Sequence, residues 1–339
     1  MKLPENIAGK VKRLNPGCFA MVMATGIVSI DLAQHDMPGL ARMLLALNAA
    51  IYLWLLGISA WRVLVWPQAV RQDFADPSRG AAFLTLAAGT LVLASQCLIV
   101  VHWPRLALLL AAFGALCWLA LMYAFLAGTI TAHAKPRFTR SINGSWLVAV
   151  VATQALSATL SQFGSDSRGL QFTALCLYML GAALYLMIIT LVVYRMVFLR
   201  LSARDFTPPY WINMGALAIT TLAGSELIMH AVPQDPMIGL MPFVKGFTVF
   251  FWATATWWIP LLLILEAWRH ILRHVPLRYE TDDWDIVFPV GMYTVGTFAL
   301  ARAIDADFLL PIPAVGVYVS LAVWLLVALS GVAHGLRRV

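Results

Sequence analysis

The chain has 339 residues, of which 61% are hydrophobic and only 12% charged, with a mean hydropathy of +0.82. Soluble domains carry about 25% charged residues, so these values exclude a soluble protein and imply a chain that crosses a bilayer many times. The net charge of +7 does not call for nucleic acid, because topology accounts for it below.

Residues 1–17 read as an N-terminal arm carrying Lys2, Lys10, Lys12 and Arg13. The arm lacks the apolar core and small-residue cleavage site of a secretory signal. A single transmembrane unit, residues 18–336, is expected to follow. Within it, stretches long enough to cross a ~30 Å hydrocarbon layer lie near 18–33, 40–61, 81–101, 105–128, 144–162, 171–194, 210–230, 243–266, 286–304 and 313–334. The expected fold class is therefore all-α integral membrane, with ten transmembrane helices.

Positive charge alternates along this series. The arm holds four basic residues. Three more follow in each connection on its side: Arg62, Arg71, Arg79; Lys135, Arg137, Arg140; Arg195, Arg200, Arg204; Arg269, Arg273, Arg278. Arg337 and Arg338 close the chain there, leaving Arg42, Arg105, Arg168, Lys245 and Arg302 for the opposite side. Positive charge is retained in the cytoplasm, so both termini are expected inside a cell membrane. The opposite connections are short, so consecutive spans should form helical hairpins. No nucleotide-binding loop occurs, and ATP-driven transport by this chain alone is excluded.

Polarity separates the spans into two sets. Over the limits above, the odd spans hold 19 Ser, Thr, Asn and Gln residues and the even spans only 10, although the even spans are longer. Tryptophan goes the other way, with Trp54, Trp61, Trp118, Trp252, Trp257, Trp258 and Trp324 in even spans. Hydroxyls in hydrocarbon need protein or water partners, whereas bulky aromatics suit lipid contact. The expectation is an inner set of odd helices lining a passage, surrounded by the even ones. Thr25, Gly26, Ser29, Thr90, Thr153, Ser157, Asn213, Thr220, Gly291 and Thr294 are the candidate lining positions. In the ninth span Pro289 removes a backbone donor and is expected to bend the helix. Three aromatics there, Phe288, Tyr293 and Phe298, could form a plug.

Few residues could carry chemistry. Glu226 is the only acid well inside an odd span, read either as a titratable group in the passage or as a structural partner of Lys245. Glu266, His270 and His274 recur at i, i+4 and i+8, a spacing open to metal ligation; with Arg269 and Arg273 interleaved, a solvated basic helix end is the preferred reading. Glu280, Asp282, Asp283 and Asp285 precede or open the ninth span, where acids complement the helix dipole. Cys18, Cys97, Cys117 and Cys176 lack paired spacing. No metal, cofactor or enzymatic constellation is expected, and the cargo that fits a lining with little fixed charge is a small anion.

Three segments resemble motifs of the tellurite-resistance/dicarboxylate transporter family: Asn15-Pro-Gly-Cys-Phe-Ala-Met-Val-Met-Ala-Thr-Gly26-Ile-Val-Ser29, Pro209-Tyr-Trp-Ile-Asn-Met-Gly-Ala, and Trp284 with Phe288-Pro289-Val-Gly-Met-Tyr. Ala24 and Cys18 depart from the commonest residues of the first motif. The resemblance spans the whole chain. It implies five helical hairpins in quasi-fivefold arrangement, odd helices lining a pore in each protomer, and a homotrimer in the bilayer. It implies small inorganic oxyanions such as sulfite or tellurite, chloride or nitrate, or C4-dicarboxylates such as malate, as the transported species. It also implies a phenylalanine on the ninth helix that closes the pore, a role that carries over to Phe288.

Overall fold

A computed structural model describes residues 5–132, 137–164, 167–231 and 236–336. Lys2, Lys135, Arg337 and Arg338 lie outside the described residues. Among the described residues all regular structure is helical. Ten helices among the described residues are long and apolar enough to cross a membrane: Pro16–Gln34, Pro38–Val65, Pro77–Val101, Pro104–Thr131, Gly144–Phe163, Arg168–Phe198, Pro208–Met229, Ile238–Leu272, Thr281–Ala303 and Asp307–Gly335, here spans one to ten. A short helix, Glu5–Lys12, precedes them and packs on span two.

Every odd span carries a tight 3-10 turn at or near its start: Pro16–Phe19, Ala81–Leu84 (after a short helical turn, Pro77–Gly80), Gly144–Leu147, Pro208–Trp211 and Thr281–Asp283. Proline at the first position of two of them costs no hydrogen bond, because the first amides of a helix have no intrahelical partner. Asn15 and Asn143 cap the Pro16 and Gly144 turns, their side chains accepting from the amides of Gly17 and Ser145. The five turns touch in succession and close a circle, the fifth returning to the first. The odd helices above them do the same. In the most apolar window of each odd span 72–83% of residues are buried, against 22–39% in the even spans.

Each even span packs on the odd span before it and also on the odd span after it. The second contact has a recurring chemistry. Tyr52 Oη lies 3.0 Å from Thr90 Oγ1, and Trp118 Nε1 donates to Thr153 Oγ1 at 2.9 Å. Tyr185 Oη donates to the Asn213 carbonyl at 3.3 Å, Trp252 Nε1 to Thr297 Oγ1 at 3.0 Å, and Trp324 Nε1 to Thr25 Oγ1 at 3.1 Å. Spans two, four, six, eight and ten thus each reach the next odd span, and span ten returns to span one. In a bilayer core no water competes for these donors, and interhelical hydrogen bonds contribute about 0.6–2 kcal/mol each. Trp324→Phe is therefore expected to cost about 1 kcal/mol, read as a lower thermal midpoint in detergent. Adding Thr25→Val should cost little more, because the pair acts as a unit.

Tryptophan in the even spans consequently has two roles. Trp54 and Trp257 are exposed at 60% and 61%, facing outward as the sequence suggests, whereas Trp118 and Trp324 are buried at 9% and 8% as donors to odd spans. The first span begins at Pro16 and the ninth at Thr281, five residues before the expected 286. At the ninth span Glu280 and Asp283 form a reciprocal cap, the Glu280 amide donating to Asp283 Oδ2 at 3.0 Å. That cap lengthens the helix into what reads as an acidic loop.

Candidate permeation pathway

Two cavities lie within the circle of odd spans, and each is lined from all five of them. The first, a polar vestibule of about 130 Å³, sits among the 3-10 turns and is lined by Asn15, Arg79, Asn143, Thr207, Asp282 and Asp285 among others. The second, about 20 Å³, lies further along the helices and is mostly apolar, with Ile27, Leu91, Ala155, Ile219 and Met292 joined by Ser95 and Thr159.

Helix period connects the two. On span nine Asp285 lines the vestibule and Met292 the far cavity. Phe288 is three residues after the first and four before the second, on the same face. Its ring is buried, with 2% exposure. Same-face positions between the cavities on spans three and five are Ala88, Val151 and Ala152, all buried. Pro289 follows inside an unbroken helix, its ring against Gly215 of span seven. A proline cannot donate to the carbonyl four residues back, so the Asp285 carbonyl lacks its helical partner in the turn that carries Phe288. The other two plug candidates, Tyr293 and Phe298, are engaged elsewhere. Tyr293 Oη is 2.8 Å from Thr256 Oγ1 of span eight. The Phe298 ring lies 5.5 Å from His35 and 5.5 Å from the Arg302 guanidinium.

The candidate lining hydroxyls fall mainly between helices. Thr25, Thr90 and Thr153 accept or share the aromatic hydrogen bonds of spans ten, two and four. Ser29 donates to the Ala41 carbonyl and Ser157 to the Ala174 carbonyl, each at 2.7 Å and each across a hairpin. Thr220 and Thr294 bond back to Ala216 and Val290 of their own helices. Gly26 abuts Val92 and Asn48, and Gly291 abuts Ile27, so both serve close helix approach. The Asn213 amide is buried with neither polar atom hydrogen-bonded among the described residues. None of these side chains lines either cavity. The polarity that separates odd from even spans is thus consumed largely in joining them.

Glu226, near the far end of span seven, is buried. Gln162 Nε2 donates to its Oε1 at 3.3 Å, and His230 Nδ1 lies 3.4 Å from its Oε2. Lys245 is exposed on span eight and forms no ion pair with it among the described residues. Gln162 also accepts from Ser95 Oγ at 2.9 Å, so a polar chain runs from the far cavity through Gln162 to Glu226 and His230. Glu266 accepts from Trp211 Nε1 at 2.9 Å and pairs with His270 at 3.2 Å, an anchor between spans seven and eight. The vestibule residues were the ones missed as site candidates. Their signal was their position just before or in the first turn of each odd helix, where polar residues are ordinarily explained by capping alone.

The chain matches the voltage-dependent anion channel family (SLAC1) over residues 13–332. It belongs to this family. Among curated relatives, an uncharacterized membrane protein of Mycobacterium tuberculosis is 41% identical over 152 residues, covering 44% of this chain and 76% of the relative. An uncharacterized transporter of Methanocaldococcus jannaschii is 24% identical over 302 residues, covering 85% and 83%. A sulfite efflux pump of Arthroderma otae is 24% identical over 324 residues, covering 87% and 84%. This SLAC1 family member, with ten helices long and apolar enough to cross a membrane among the described residues, is an integral membrane protein of anion transport.

Proposed function

We propose that this SLAC1 family protein passes small anions along the axis of its five odd spans, with Phe288 as the gate. The observation that carries the reading is the placement of a buried Phe288 between two cavities that all five odd spans line. Electrostatics favours an anion at the vestibule. Five helix N-termini converge there, each equivalent to roughly half a positive charge, and Arg79 adds another. Arg79 and Arg62 both hold Asp73, at 2.6 Å in the case of Arg79, which fixes the guanidinium at the rim. The vestibule side is read as cytoplasmic from the charge pattern, with both termini inside, and the assembly as a homotrimer with one passage per protomer.

The size of the cavities favours sulfite, nitrate or chloride over C4-dicarboxylates. About 15 Å³ admits one water, so the far cavity of about 20 Å³ accepts a three-oxygen anion with far less widening than malate. In liposomes holding the purified chain, nitrate and sulfite are expected to pass at least tenfold faster than malate. Equal or faster malate flux would reverse that ranking, and no anion flux at all would remove the transport reading.

A second reading, a proton-coupled carrier, is favoured by the polar chain from Ser95 to Glu226 and His230. Under an imposed pH gradient, coupling predicts a reversal potential that moves with the proton gradient and ceases to move in Glu226→Gln. A potential that follows the anion gradient alone in both proteins leaves Glu226 as a structural group.

A further inference from the structure

We infer that Asp285 sets the charge of the vestibule directly beneath the gate and passes anions faster in its protonated form. The inference rests on the pathway reading and adds to it a selectivity residue. Asp285 lines the same cavity as Arg79 and stands three residues before Phe288 on one helical face. The neighbouring acid, Asp282, is engaged, because Asn15 Nδ2 donates to its Oδ1 at 2.5 Å. Asp285 makes no side-chain hydrogen bond among the described residues and is half-buried toward the cavity. It is therefore the carboxylate an approaching anion meets last before the phenyl ring.

The surrounding charges define what its proton does. Span one contributes neutral Asn15 and span five neutral Asn143 and Ser145; span seven contributes Thr207 and Pro209. Span three contributes Arg79, already shared with Asp73. Span nine adds Asp282 in the cavity, with Asp283 turned to the Glu280 amide. Arg269 and His270, at the end of span eight, line a separate cavity with Asp283 and Glu280. With Asp285 ionised, its charge and that of Asp282 offset Arg79 and part of the helix-terminus field. With Asp285 neutral, the positive ends of five helices dominate and an anion is drawn to the gate. Two like charges within a few ångströms of each other in a low-dielectric passage repel strongly enough to change occupancy about tenfold or more.

The test uses the full chain in liposomes with nitrate, whose own charge is constant across the range, and equal pH on both sides so that protein orientation drops out. Flux through the wild type is expected to rise about tenfold between pH 8 and pH 5. Asp285→Asn should show the high flux already at pH 8 and a nearly flat profile, whereas Asp285→Glu should retain the slope. Glu226→Gln, at the far end, should also retain it. Nitrate flux in Asp285→Asn with the wild-type slope overturns this inference alone. Absence of nitrate flux from both the wild type and Phe288→Ala overturns the pathway reading, and this inference with it.

Discussion

Phe288→Ala is expected to raise nitrate or chloride conductance at least tenfold, in planar bilayers or liposomes, while leaving the fold intact. The phenyl ring is the sole large side chain on the span-nine face between Asp285 and Met292, and the same-face positions on spans three and five are alanine and valine. Truncation therefore joins two existing cavities without breaking any hydrogen bond. The structural cost is that of a large-to-small change, about 3–5 kcal/mol for a well-packed phenylalanine. Tyr293→Phe and Phe298→Ala give the contrast. Tyr293 faces Thr256 and Phe298 faces His35 and Arg302, so both should leave conductance near the wild-type level. An opening caused by Phe298→Ala but not by Phe288→Ala would move the gate to the far mouth.

Gly144→Ala is expected to be the most damaging single methyl in the chain. A Cβ at Gly144 would fall on the carbonyl of Pro209, and that neighbour is backbone, not a flexible side chain. Both residues belong to the 3-10 turns that close the circle around the vestibule, so neither can yield without shifting its neighbours. Overpacking of this kind costs about 3 kcal/mol or more, read as a large fall in thermal midpoint and in folded yield. Gly128→Ala has nothing within 4 Å of the added carbon. On helix propensity alone it should be neutral or stabilising by up to about 1 kcal/mol.

Much of the architecture was legible in the sequence. The number of spans follows from the lengths of apolar runs, and the asymmetry between odd and even spans is visible in their hydroxyl and tryptophan counts. The physical cause of that asymmetry was not legible. A threonine that faces a passage and a threonine that accepts from a tryptophan of the neighbouring hairpin have the same composition, and only the packing of span two on span three or span ten on span one distinguishes them. The fivefold recurrence of that bond was hidden because the donors vary between tyrosine and tryptophan and one acceptor is a backbone carbonyl. The expected start of the ninth span at 286 falls short because the reciprocal cap of Glu280 and Asp283 extends the helix to Thr281. Counted from Thr281, Asp285 falls in the second turn and Phe288 at the start of the third. The acids there were correctly associated with a helix N-terminus, but their shared cavity with Arg79 and Asn15 depends on contacts more than 200 residues apart in the chain.

The bonds from each even span to the next odd span have a mechanical meaning. They make the assembly a hoop, in which no hairpin is tied only to itself and none can swing as a rigid arm without breaking ties on two sides. A carrier that exposes its site alternately to the two faces needs such a swing. In one turn of span nine Pro289 deprives the Asp285 carbonyl of its helical amide donor. The proposed opening by rotation of the Phe288 ring within such a hoop implies a shallow temperature dependence of conduction, closer to that of diffusion in water than to that of a domain motion.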